Sequence, residues 1–328
     1  VRAKGIAYDT GFVRHGEISV PEFDLEVVGR DLLAIRDELH CNAVHLVGGD
    51  PERLEQAARV AAGLGLEVWF SPYPLELRPD EILGLFEECA RRAELVRAGG
   101  AEVVFVAGVE LSIMNFGFVD GDGVLDRVTR LLGNAERMLE VGARLNEFLA
   151  RAVKVVREQF RGKVTYACIP FERVDWEPFD VMSFELIRSA EVADQYAAGI
   201  RGVVAQGKPV AITGFGTAAW RGSGAVAPRS MEIVETDADG LPVRVKDGYV
   251  RDEQEQAVYL REVLEILEAE GVDGAFVYMF ALNNYTHRPD EPGRDFDMGS
   301  PGVVKVFEDG TWAPKAGFGA VAEVYART

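Results

Sequence analysis

Short apolar runs alternate along this chain with longer stretches in which apolar residues recur every three or four positions. The runs at 5–8, 43–47, 67–70, 102–107, 164–169, 181–184, 209–213 and 274–280 are rich in Val, Ile, Phe and Ala. None alternates strictly between apolar and polar residues, which is the pattern of a strand covered on both faces. Between them, 24–39 places Leu25, Val28, Leu32, Leu33 and Ile35 close to a 3.6-residue period and predicts an amphipathic helix. Asp50 before Pro51 predicts a capped helix over 51–64, and 79–97 also opens on proline. The segment 125–160 is expected to break at Gly133 and Gly142, and helices over 191–206, 252–269 and 312–326 complete the set. The crossover 171–178 is too short and proline-punctuated for a full helix.

Eight strands joined by helical crossovers predict a closed (β/α)8 TIM barrel, one α/β domain over 1–328. The competing nucleotide-binding fold would want G-x-G-x-x-G after the first strand or a G-x-x-x-x-G-K-[ST] loop, and neither occurs. Two connections exceed the usual length: 217–250 after the seventh strand and 281–304 after the eighth. Both leave the C-terminal ends of strands, where barrels place their chemistry, and are expected to form a rim or lid.

The formal charge of −19, from 35 basic and 54 acidic residues with no long basic block, argues against a nucleic-acid or anionic-membrane partner. Cys41, Cys89 and Cys168 are widely spaced and form no C-x-x-C pair, so they read as buried thiols of a reducing compartment. No apolar run approaches the roughly 20 residues of a membrane span, and the first residues lack a signal-peptide core, so a cytoplasmic location is the expectation. The four histidines show no metal-ligand spacing, and no cofactor motif is present.

Polar residues at strand ends converge on the barrel mouth, which selects the candidate chemistry. Glu110 follows the buried run Val103-Val104-Phe105-Val106-Ala107 and precedes Leu111, so its carboxyl is expected in a pocket that raises its pKa and suits a general acid. Glu185, between Phe184 and Leu186, is the second catalytic candidate, with pairing to Arg188 as its structural alternative. Asp9, His45, Tyr73, Arg188, Gly214, Trp220, Tyr278 and Asn283 are candidate substrate-binding positions at strand ends and in the mouth loops. Asp50 reads as a helix cap. A Ser-His-Asp hydrolase is disfavoured because no G-x-S-x-G elbow occurs.

The stretches LHCNAVHLVGGDPERLEQAARVA, GLEVWFSPYP, AEVVFVAGVELS, GKPVAITGFGTAAWRG and DFDMGSPGVVKVFEDG run through most of the chain. Together they resemble a clan-A-type glycoside hydrolase barrel, and more specifically bacterial barrels described as abortive-infection-like. The resemblance implies a glutamate acid/base at the end of the fourth strand, carried here by Glu110. It also implies a nucleophile glutamate in a P-V-x-I-T-E-F-G frame at the end of the seventh. The frame is present from Pro209 to Gly216, but Gly214 stands at the nucleophile position. His45 stands where that pattern presents an arginine on the second strand.

A glycine cannot attack an anomeric carbon, and retaining hydrolysis needs two carboxyls about 5 Å apart. Three explanations stay open: a repurposed natural pocket, a variant stripped of its nucleophile to trap a ligand, or takeover by another acid such as Glu185 or Asp9. The resemblance implies an enzyme acting on a sugar or small glycosylated metabolite, with Glu110 as general acid/base and a reaction other than ordinary retaining hydrolysis. A natural-product tailoring enzyme catalysing cyclisation, isomerisation or elimination, and a carbohydrate- or partner-binding barrel without catalysis, are the alternatives.

Overall fold

Eight parallel strands close into a barrel, and their order around the ring is their order along the chain. They are β1 (Ala3–Asp9), β2 (Ala43–Gly48), β3 (Glu67–Pro72), β4 (Val103–Val109), β5 (Lys163–Cys168), β6 (Met182–Glu185), β7 (Val210–Phe215) and β8 (Gly274–Val277). Each lies within a few residues of its predicted run. The computed structural model describes residues 1–237 and 240–327. Every residue of β2, β4, β7 and β8 is buried, which accounts for the absence of alternation in the sequence.

The helices are α1 (Leu25–Asp37), α2 (Pro51–Gly63), α3 (Pro79–Ala98), α4 (Val124–Leu131), α5 (Ala135–Gln159), α6 (Ala193–Val204), α7 (Glu253–Ala269) and α8 (Ala316–Arg327). Asp50 caps α2 by accepting from the amides of Glu52 and Arg53 at 2.9 and 3.0 Å. The long segment breaks at Gly133, as expected, because Gly133 has a φ of +77°. It does not break at Gly142, which lies inside α5. A Cβ there would stand 3.0 Å from the carbonyl oxygen of Glu172, so this glycine serves a close helix approach rather than a chain break. The final helix starts later than predicted because Trp312–Pro314 forms a strand against Val304–Val306.

The chain divides into two compact units. In the unit of residues 1–9, 30–43 and 186 onward, β1 pairs with β8 from Ala3↔Gly274 to Ile6↔Val277. The Tyr325 hydroxyl donates within that seam, with the carbonyls of Gly5 and Ala275 at 3.0 and 2.8 Å. The long connections of this unit are ordered by short-range structure and by charge. Residues 217–250 contain the 3-10 segment Ser223–Ile233 and a hairpin of Val234–Thr236 with Pro242–Val245. Ala238 and Asp239, within the 217–250 connection, lie outside the described residues.

Residues 281–304 fold back on this loop, with the Ala219 amide donating to the Met298 carbonyl at 3.1 Å. Asp297 is the anchor. It accepts from Arg251 at 2.6 Å and pairs with the fully buried Lys315 at 2.9 Å. Buried charges persist only when paired, so this cluster holds both loops against the starts of α7 and α8.

In the unit of residues 10–29 and 44–185, Phe105 on β4 stacks on Phe70, meets Phe86 edge-on and touches Phe160, with centroids 6.2, 6.2 and 5.9 Å away. Full burial of such rings contributes about 1.5–3 kcal/mol each. This aromatic block ties β3 and β4 to α3 and to the chain entering β5.

Candidate active site

The end of β4 is built around a strained turn. Gly108 has a φ of +89°, and Glu110 itself sits in the left-handed region at φ 46° and ψ 40°. A non-glycine residue there costs on the order of 1–2 kcal/mol and persists only where its surroundings over-determine it. The surroundings do so. The Glu110 amide donates to the Ala167 carbonyl of β5 at 2.9 Å, and its own carbonyl accepts from the amides of Ile113 and Met114 at 3.1 Å each. The next amide, Leu111, donates to the Tyr166 hydroxyl at 2.8 Å. A single helical turn, Leu111–Met114, then carries the chain away.

Burial pushes the Glu110 carboxyl well above the usual glutamate range, and the carboxylates of Glu185 and Glu172 push it further. These are the charges that reach it among the described residues. Glu185 ends β6, two strands round from β4, and Cys168 ends β5 between them. The Cys168 thiol is raised by burial first and then by Glu172, Glu185 and Glu110, so all three carboxyls lie within electrostatic reach of this one thiol.

Glu172 lies in the short 3-10 turn Pro170–Glu172 after β5 and is 1% exposed. Its Oε1 accepts from the Ser112 hydroxyl at 2.6 Å, the Tyr166 hydroxyl at 2.8 Å and the Ser112 amide at 3.2 Å. Its Oε2 accepts from the Ile169 amide at 3.1 Å. Burial pushes Glu172 up to about 7 even against these bonds, which favour the ionised form. Sequence reasoning missed Glu172, Tyr166 and Ser112. The available signal was an acid placed directly after a barrel strand, in a crossover too short to need it as a helix surface residue.

The other candidates of this unit are placed individually. His45 is a buried residue of β2, 2% exposed. Tyr73 follows β3, is half-buried, and meets the Phe12 ring edge-on at 5.0 Å. In the other unit, Asp9 ends β1 and is buried. Gly214 lies within β7, buried, with its carbonyl accepting from the Leu186 amide at 3.1 Å. Two residues on, Gly216 runs close to the half-buried Tyr278, and a Cβ there would fall 2.2 Å from the Tyr278 carbonyl oxygen.

Arg188 donates to Glu262 on α7 at 3.3 Å, and its carbonyl accepts from the Tyr259 hydroxyl at 2.9 Å. It lines a cavity of about 550 Å³ with Asp252, Glu255, Tyr259 and Glu262, so its partner is Glu262 rather than the Glu185 that the sequence offered as an alternative. Trp220 is buried inside the 217–250 loop, where its indole donates to the Ser230 carbonyl at 2.8 Å. Asn283 is exposed on the loop after β8. Among the described residues no cluster of His, Cys, Asp or Glu could hold a metal ion, and no helix is long and apolar enough to cross a membrane.

No model of a known protein family matches the sequence, and no curated protein does. Solved structures do match by shape. A GH113 beta-1,4-mannanase aligns with a TM-score of 0.64 at 17% identity, over 99% of both chains. A beta-glucuronidase from an uncultured Clostridium sp. aligns with a TM-score of 0.61 at 12% identity, over 100% of this chain and 50% of that one. Saccharomyces cerevisiae Gas2p in complex with laminaripentaose aligns with a TM-score of 0.56 at 12% identity, over 99% of this chain and 64% of that one. At these identities the likeness establishes the barrel fold.

Proposed function

We propose that the chain, as one barrel domain, is a glycoside-hydrolase-like enzyme in which Glu110 is the general acid and Glu185 its companion base. The observation that carries this reading is the strained, over-determined turn that presents Glu110 beside a second carboxylate at the C-terminal end of the barrel. Two neighbouring acids, one of which burial holds protonated, can divide the roles between them. Glu110, held protonated by burial and by the neighbouring negative charge, donates its proton to the leaving oxygen as the glycosidic bond breaks. Glu185 takes a proton from the water that attacks the anomeric carbon.

No covalent glycosyl-enzyme is required, which accords with Gly214 at the strand-seven position where a retaining enzyme needs its nucleophile. The neighbours' names suggest β-linked sugars as the first substrate class: mannan for the mannanase, β-glucuronides for the glucuronidase, and a laminarin oligosaccharide for Gas2p.

The glycine at 214 also favours a second reading, in which the same acid/base pair catalyses cyclisation, isomerisation or elimination on a small metabolite. Turnover is measured on β-mannan, laminaripentaose and a panel of 4-nitrophenyl β-glycosides, with proton NMR of the freshly released anomer. Glu110→Gln is expected to lower kcat by roughly 10²–10⁴-fold. Preserved turnover in that variant refutes the acid role. Net retention of configuration refutes Glu185 as the base of a single displacement.

A further inference from the structure

We propose that Glu172 is the positioning residue of this site: through the Tyr166 hydroxyl and Ser112 it holds the left-handed turn that presents Glu110. The inference rests on the reading of Glu110 as the acid. Among the described residues no hydrogen bond orients the Glu110 side chain, so its aim is set by backbone on either side. On the near side, β5 fixes its amide through Ala167. On the far side, the next two residues are both tied to one buried carboxylate. Leu111 donates to the Tyr166 hydroxyl, which in turn donates to Glu172, and Ser112 donates to Glu172 from both its amide and its hydroxyl. A backbone N–H can only donate, so the Tyr166 hydroxyl accepts from Leu111 and gives its own proton to Glu172.

Glu172 is itself immobilised. The Ile169 amide holds its second oxygen, and its carbonyl lies in the close approach that Gly142 allows to α5. A buried carboxylate with four donors is a costly way to secure one turn of surface loop. Three of those donors belong to the two residues that follow Glu110 or to the tyrosine that contacts them.

The charge acts as well as the hydrogen bonds. The ionisable groups facing Glu172 are Tyr166 and Cys168 from β5 and Glu110 from the end of β4. From α5, the Arg144 guanidinium is turned to the Phe118 carbonyl and does not offset the carboxylate. An ionised Glu172 therefore acts on Glu110 by holding its proton in place.

The test uses the full chain labelled with glutamate carrying ¹³C at the side-chain carboxyl, with the Glu110 signal assigned by its loss in Glu110→Gln. Glu172→Gln is expected to lower the Glu110 titration midpoint by about one pH unit. Tyr166→Phe, which deletes one hydroxyl, is expected to speed hydrogen exchange at the Leu111 amide roughly tenfold. An unchanged Glu110 midpoint in folded Glu172→Gln, or unchanged Leu111 exchange in Tyr166→Phe, overturns the proposal. Loss of the fold in Tyr166→Phe also overturns it, because the cluster would then serve stability alone. None of these readouts needs a substrate, so they are independent of whether any glycoside is turned over.

Discussion

Replacing Glu172 by glutamine tests the electrostatics of the buried cluster through the stability of the whole protein. Burial lifts this carboxyl from the ordinary 4.5 to about 7 in the folded state. Below 4.5 the group is protonated both folded and unfolded, and it contributes no pH dependence. Between 4.5 and 7 the unfolded chain releases the proton and the folded one keeps it, so stability falls as pH rises; above 7 the loss is complete. Two and a half pH units at about 1.4 kcal/mol each come to about 3 kcal/mol.

Glutamine cannot accept from the Ile169 amide through its NH2 end, so the variant loses stability at every pH by about 1–3 kcal/mol. That offset leaves the slope as the diagnostic quantity. Urea unfolding from pH 4 to 8 should show the wild type losing about 3 kcal/mol more than Glu172→Gln across the interval. Parallel curves for the two proteins would refute the reasoning and mean that Glu172 is ionised throughout, held by its four donors.

Three further outcomes follow from the packing. Gly216→Ala places a methyl 2.2 Å from the Tyr278 carbonyl oxygen, with backbone on both sides, and should destabilise the chain by about 1–3 kcal/mol in urea unfolding. Lys315→Met leaves Asp297 buried against Arg251 alone, so it should cost about 3–5 kcal/mol and open the 281–304 loop to limited proteolysis; unchanged cleavage would mean that the ion cluster does not hold the loop. Asp50→Ala removes the cap from α2 and should lower stability by about 1 kcal/mol in the same denaturant assay.

The barrel was legible in the chain because its determinants are local. Strands buried on both faces need unbroken apolar runs, and the crossovers need a 3.6-residue period, so both periods are written directly along the sequence. The cap at Asp50 and the break at Gly133 are local for the same reason: one is a side chain reaching two or three residues on, the other a backbone angle that suits glycine. Gly142 was misread because its reason lies in another element, the Glu172 carbonyl against which α5 packs.

Glu110 could be singled out from its place at a strand end, where the barrel sends side chains to the mouth. Its raised pKa was expected from the apolar run before it, whereas its left-handed turn was not, since the residues that enforce that turn are distant along the chain. Ser112 and Glu172 are 60 positions apart, and Tyr166 is 55 from Leu111. A single sequence carries no record of such pairings, because hydrogen bonds and burial between distant segments exist only once the strands close. The amino-acid order determined that there would be a barrel and that Glu110 would stand at its mouth. The tertiary structure decided what holds the turn that presents Glu110 and which carboxylates, Glu185 and Glu172, raise its pKa further, because those segments meet only in the closed barrel.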